Sequence, residues 1–527
     1  MHPPDARKGL MNTDEDQPID GQDAPPEVRL SWWRLAVLLV ALAAIAGGSV
    51  LLVRAWRSDD IVVGVSTSVP YVDVTLTPTY AFQDPQSNPA RSVALAFVVA
   101  DPDDACAPSW GGYYSLAEAD AQLELSRRLA QLRNAGGDAI VSFGGQANDE
   151  LALGCEDADA LTDAYLDVVT HYDLTAIDLD LEGDELSDAP SIERRATAIA
   201  AAQAARTDAD RELAVWLTLP VAASGLTSEG AAALDAMLAA GVELAGVNTM
   251  TMNFASAEAP TDDMFAATER ALERTADQLV GAYAKHGVHL AEGEVWSRLG
   301  ATPMIGQNDV DGEVFTLDDA SDLAGLAARR GLGRVSFWSL NRDSQCDSAF
   351  PDVAVLSDVC SGVAQDRLEF AVAFSTLGAD RTPTRVESTV PPRVDDPATS
   401  PYPVWRSRAE YEEGYKVVRR GFVYQARWYT SGVDPAAIGT DPNANPWSLV
   451  GPVGPADEPF VPATVAPGTH PEWDPTVLYQ AGDDVVYRGL PYQARWANQA
   501  ETPETQYPVA PSSAWEPQFE IAGEPAT

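Results

Sequence analysis

At 527 residues, with 46% apolar and 21% charged side chains, the chain is too long for one hydrophobic core and apolar enough to build several. Its 34 Lys and Arg against 79 Asp and Glu leave a formal net charge of -45, which argues against nucleic acid and anionic lipid headgroups as partners. A neutral ligand such as a polysaccharide meets no such repulsion, and acidity also keeps an exported protein soluble.

Residues 1–34, rich in Asp, Glu and Pro, read as a disordered cytoplasmic tail. Leu35 to Val53 is a run of 19 residues without a charge, enough to cross a bilayer once as a transmembrane helix. Trp32, Trp33 and Trp56 flank it, where amphipathic rings prefer the interface. A cleaved signal peptide, which would make the protein secreted, is the competing reading; the long polar segment ahead of the run favours the uncleaved anchor. Everything beyond Arg57 is then expected to be extracellular.

From 61 to 377, apolar runs alternate with amphipathic, Ala- and Leu-rich stretches. The runs are Val72–Leu76, Val93–Ala100, Ala139–Phe143, Ala176–Leu181, Leu213–Leu219, Ala245–Met252, Thr302–Ile305 and Val335–Ser339. This predicts an α/β fold, a (β/α)8 TIM barrel. A doubly wound open sheet fits the alternation nearly as well, but no Gly-rich nucleotide fingerprint follows a strand. The four cysteines contain no CxxC pair and the five histidines are scattered, so no metal site is expected. Two disulfides are, most simply Cys346 with Cys360 and Cys106 with Cys155.

Residues 378–402 read as a linker. An internal repeat follows: the residues of W-x5-Y-x2-G-x3-V-x2-G-x2-Y-x-A-x-W, from Trp405 to Trp428, recur 68 positions later, from Trp473 to Trp496. This predicts two small all-β modules at 403–453 and 471–518, joined by a Pro-rich linker at 454–470. Trp428 and Trp496 close strand-like runs and can offer exposed faces to pyranose rings, whereas Trp447 and Trp515 read as core. The copies differ: Tyr429 stands beside Trp428, and Ala497 beside Trp496.

The most chemical segment is Ala176-Ile-Asp-Leu-Asp-Leu-Glu-Gly183. A spacing of two puts Asp178, Asp180 and Glu182 on one face of a strand and Ile177, Leu179 and Leu181 on the other. In a barrel the acids point inward, with Glu182 nearest the mouth where catalytic groups gather. Three close carboxyls cannot all ionise cheaply, so at least one should hold its proton near neutral pH, as a general acid must. A wet acidic strand or a divalent-cation site is the non-catalytic reading of the same three residues.

Set beside Ser142-Phe-Gly-Gly145, Thr218-Leu-Pro220, Met250-Thr-Met-Asn-Phe254, Thr302-Pro-Met-Ile-Gly306 and Phe337-Trp-Ser-Leu340, this segment resembles the acidic strand of family 18 glycoside hydrolases, the chitinase family. The likeness covers roughly residues 65–375, and the repeated modules resemble carbohydrate-binding families 5 and 12. The resemblance implies substrate-assisted retaining hydrolysis of β-1,4-linked N-acetylglucosamine polymers, without metal or organic cofactor. Glu182 would be the acid, Asp180 would hold the acetamido group, and Asp178 would tune Asp180 by sharing a proton. Trp338, Met252, Asn253, Phe254, Gly144 and Gly145 would line the substrate site, and Trp428, Tyr429 and Trp496 would bind polymer. Chitin or its oligosaccharides would be the partner of a monomeric, membrane-held enzyme.

Four positions depart from the family: Thr175 and Ala176 replace the first Asp and the Gly of the acidic motif, and Asn253-Phe254 replaces Asp-Tyr. Phe254 lacks the hydroxyl expected to meet the acetamido group, so reduced activity is expected. Two other readings remain: a non-catalytic chitin-binding surface protein, and a hydrolase of another acetamido-sugar glycan.

Overall fold

The computed structural model describes residues 67–254, 263–346, 356–377, 394–436, 445–454 and 457–525. The expected tail at 1–34 and the expected membrane span at 35–53 lie outside them, as does most of the linker at 378–402. Among the described residues no helix is long and apolar enough to cross a membrane.

The strands are β1 (Thr67–Ser68), β2 (Tyr71–Asp73), β3 (Ser92–Ala100), β4 (Pro108–Trp110), β5 (Tyr114–Ser115), β6 (Asp138–Gly144), β7 (Ala176–Asp180), β8 (Ala214–Ala222), β9 (Gly225–Leu226), β10 (Leu244–Met250), β11 (Leu299–Ala301), β12 (Gly306–Gln307), β13 (Val314–Phe315) and β14 (Arg334–Val335). The central ladder is parallel and runs in chain order, β2 to β3, β6, β7, β8, β10, β11 and β14. β14 then pairs with β1, which leads into β2, so the pairing returns to its start in a TIM-barrel-like ring. β3 (SVALAFVVA) is apolar almost throughout, the mark of a strand covered on both faces.

Helices Leu125–Asn134, Ala158–His171, Ala189–Asp208, Ser228–Ala239, Met264–Lys285 and Leu317–Arg330 fill the crossovers. Leu161, Ala164, Tyr165, Val168 and Val169 fall on one face of Ala158–His171, at helical spacing, and are buried. Burying each of the larger ones stabilises the fold by about 2 kcal/mol. Asp157 caps that helix by accepting from the amides of Asp159 and Ala160. Residues 74–91, between β2 and β3, hold no helix, so the first crossover departs from a strict strand-helix alternation. Cys106–Cys155 and Cys346–Cys360 are disulfides, the pairing expected from spacing.

Two departures from the apolar runs have a local cause. β11 ends at Ala301 rather than spanning Thr302–Ile305, because Pro303 has no N–H to donate to a ladder. β14 starts on Arg334, a buried cation that hydropathy marks as surface.

Beyond the ring, strands Glu410–Tyr411 and Thr430–Ser431 pair, and Lys416–Arg419, Phe422–Ala426 and Trp447–Pro452 form a three-stranded sheet. The same plan recurs with Leu478–Tyr479 and Asn498–Gln499, then Asp484–Tyr487, Leu490–Ala494 and Trp515–Pro517. Each small core centres on a tyrosine against a tryptophan, Tyr411 on Trp447 and Tyr479 on Trp515, with ring centroids 5.1 and 5.0 Å apart. The first of these units sits against helix Leu125–Asn134: Arg127 donates to the Pro452 carbonyl at 3.2 Å and pairs with Asp457, and Gln131 donates to the Val450 carbonyl at 2.6 Å. Arg406 of the first unit donates to the Gln506 and Pro508 carbonyls of the second, both at 3.1 Å.

Candidate active site

The acidic strand is β7, in the ring between β6 and β8. Ile177 and Leu179 pack into the large core shared with the helices. Their neighbours Asp178 and Asp180 are equally buried on the opposite face, where burial of a carboxyl is costly unless it is matched.

Asp178 is fully matched. Its Oδ1 accepts from the Thr218 hydroxyl and the Arg334 guanidinium, each at 2.7 Å, and its Oδ2 accepts from the Tyr71 and Ser142 hydroxyls, also at 2.7 Å. Asn248 extends the network, donating to Thr218 Oγ1 at 3.0 Å and Thr302 Oγ1 at 2.7 Å. Arg334 also donates to Ser336 Oγ at 2.6 Å and lies over the Tyr71 ring, 5.3 Å from its centroid. Both Asp178 oxygens already accept two donors each, so the expected sharing of a proton with Asp180 is not the arrangement found. Asp178 acts on Asp180 through charge instead, helping to raise its pKa.

Asp180 differs in kind. It is buried, and its Oδ1 accepts no hydrogen bond from the protein. Burial first, then the negative charges of Glu182, Asp178 and Glu185, push its carboxyl well above the ordinary aspartate range, against the pull of Arg334. Glu182, two residues beyond the end of β7, is only half-buried; burial and then Asp309 raise its carboxyl to about 7. The charge of Glu182 opposes ionisation of Asp180, which favours the protonated form of that buried carboxyl.

Around them, Trp338 stacks on Phe97 with centroids 5.5 Å apart and planes 16° off parallel, and tilts against Tyr71 at 6.2 Å. A cavity of about 480 Å³ lies on Phe97, between Asp73, Thr75, Tyr113, Tyr114 and Asn148. Gly144 and Gly145 serve close packing: both have positive φ, and a Cβ would lie 2.2 Å from the Asp180 carbonyl at Gly144 and 2.8 Å from the Phe97 ring at Gly145. Met252 is buried, and Phe254 is turned into the core at 4% exposure with its amide donating to Glu313 at 3.0 Å. Asn253, at φ 51°, clasps Asp309 by donating from Nδ2 at 2.7 Å and accepting its amide at 3.0 Å. Asn253 thus fixes the acid whose charge raises Glu182.

Trp428, Tyr429 and Trp496 lie on the two small units, not in this site; they are 41%, 58% and 40% exposed. Sequence reasoning missed Tyr71, Arg334 and Glu185. Only Arg334 left a trace, a cation opening an apolar strand. Among the described residues no cluster of three or more His, Cys, Asp or Glu side chains could hold a metal ion.

No protein-family model matches the chain. It is 38% identical over 282 residues to a probable bifunctional chitinase/lysozyme of Escherichia coli, covering 52% of this chain and 30% of that protein. It is 36% identical over 282 residues to endochitinase 11 of Metarhizium anisopliae, covering 52% of each. The chain therefore matches only about a third to a half of the length of these curated relatives. Among solved structures, the catalytic domain of a hyperthermophilic chitinase from Pyrococcus furiosus superposes with a TM-score of 0.51 at 26% identity, covering 59% of this chain and 95% of that one. In sequence and in its TIM-barrel-like fold, then, this chain is similar to chitinases.

Proposed function

We propose that the chain is a chitin-hydrolysing glycosidase working by substrate-assisted, retaining catalysis. The observation that carries this reading is the pair at the end of β7: Glu182 with its carboxyl raised to about 7, beside a buried Asp180 whose Oδ1 has no protein partner. A carboxyl of that pKa keeps a proton to give at neutral pH and can return as a base. Glu182 protonates the glycosidic oxygen. The acetamido oxygen of the substrate attacks the anomeric carbon, the bond to the leaving sugar breaks, and an oxazolinium ion forms. Asp180 accepts the acetamido N–H and aims that oxygen, while Trp338 covers the apolar face of the sugar. The same Glu182 then takes a proton from the water that opens the ring, with net retention.

The polymer contacts fall to Trp428, Tyr429 and Trp496, and the catalytic part works outside the cell, held by the apolar run at 35–53. A binding protein without catalysis is the second reading, favoured by one feature: Phe254 is buried and offers no hydroxyl to the acetamido group. Hydrolysis itself separates the two, and the product anomers test the mechanism. N-acetylglucosamine oligomers should be cleaved to the β-anomer first, and glucosamine or glucose oligomers, lacking the internal nucleophile, should survive. Cleavage of all three equally, or initial α-anomer, would refute the mechanism.

A further inference from the structure

The D-x-D-x-E pattern ends at Glu182, but the structure places another carboxyl directly behind it. Glu185, 3% exposed, reaches back so that its Oε2 accepts the Glu182 backbone N–H at 3.2 Å, while its own N–H donates to the Glu182 carbonyl at 3.1 Å. Its Oε1 accepts the backbone N–H of Glu150 at 3.1 Å, in the loop that follows β6. Glu150 is itself fixed, with Arg195 donating from Nε to its Oε2 at 2.9 Å within an ion pair and the Tyr165 hydroxyl bonded to its Oε1. Gly144 leaves the room: a Cβ there would stand 3.1 Å from Glu185 Oε2.

We propose that Glu185 is the positioning residue for the catalytic acid, its carboxyl clamping the backbone of Glu182 to that of Glu150 across the ends of β6 and β7. The inference rests on the hydrolase reading for its kinetic consequence, but not for its structural one. The turn carrying Glu182 has left the strand ladder, and Gly183 beside it stands at φ 51°. Without the clamp, nothing else described holds the Glu182 amide. The charged and titratable groups facing Glu185 are Glu150, Arg195, Tyr165, Asp180 and Glu182. Burial and then Glu150 raise the Glu185 carboxyl to about 8, so at neutral pH the clamp adds little negative charge beside the acid.

The test uses the 527-residue chain, carboxyl-labelled on glutamate, as wild type, Glu185→Ala and Glu185→Gln, with Glu182→Gln to assign the Glu182 resonance. In the wild type Glu182 should titrate near 7. In Glu185→Ala its midpoint should fall by about one unit as the loosened turn lets water reach the carboxyl. The kcat on N-acetylglucosamine oligomers should drop about tenfold with KM within about twofold. Glu185→Gln, which keeps the shape and one acceptor, should recover part of both, and it carries the test if the alanine variant does not fold, with a fall of about half a unit expected. A folded variant in which Glu182 titrates as in the wild type overturns the inference, whatever its activity. A wild type that hydrolyses nothing would sink the hydrolase reading, while the titration would still decide the role of Glu185.

Discussion

Replacing Arg334 by Met removes a cation from the centre of the ring and leaves the Asp178 carboxyl, at 0% exposure, facing the space it filled. Breaking one partner of a buried pair typically costs 3–5 kcal/mol. Here the Tyr71, Ser142 and Thr218 hydroxyls still donate to Asp178, so the lower end applies, about 3 kcal/mol. For a domain of this size that is roughly 6–10 °C in Tm. Urea unfolding followed by tryptophan fluorescence reads the loss. The companion Asp178→Asn/Arg334→Met removes both charges, and should recover about 2 kcal/mol of the single variant's deficit because no unpaired ion remains. If Arg334→Met loses less than about 0.5 kcal/mol, or the two substitutions add, the pair is not what holds Asp178 and the reasoning fails.

Three further outcomes follow from the same geometry. Asp309→Asn removes the charge that helps raise Glu182, so the alkaline limb of kcat/KM should move from near 7 to lower pH, by less than about one unit since burial is the larger cause; an unmoved limb contradicts it. Glu185 binds its proton more tightly folded, near 8, than an ordinary glutamate near 4.5, so its contribution is full below 4.5 and is lost as pH rises to 8, on the order of 5 kcal/mol. Urea midpoints measured at both ends of that window should differ in the wild type and differ less in Glu185→Gln, where the raised carboxyls of Glu182 and Asp180 still titrate. Replacing both Trp428 and Trp496 by Ala should release the protein from chitin, since two weak linked sites multiply each other; undiminished pull-down would remove those rings from the binding surface.

Much of this was legible in the sequence because strand and helix periodicities differ. The spacing of two in Ile177-Asp-Leu-Asp-Leu-Glu182 alone sorts acids from aliphatics, and β7 buries them on opposite faces. The 68-residue repeat likewise located two small β units, with Trp447 and Trp515 inside and Trp428 and Trp496 exposed. Contacts across the ring were not legible. Arg334 meets Asp178 from 156 residues away, and a lone arginine in an apolar stretch carries no address for its partner. Nothing in the spacing singles out Glu185, since its burial depends on Gly144 leaving room and on the Glu150 loop folding over it. Phe254 was expected to line the substrate, yet its ring belongs to the core, because a phenyl without a hydroxyl gains more there than at a wet mouth.

The most direct test of the central claim is the hydrolysis rate of N-acetylglucosamine oligomers by the wild type beside its Glu182→Gln variant. Activity that falls by at least about 100-fold in the variant, with oligomer affinity kept, is the predicted result and assigns the acid. Equal rates in both would contradict the assignment, and no hydrolysis in either, with chitin still bound, would make this a binding protein rather than an enzyme.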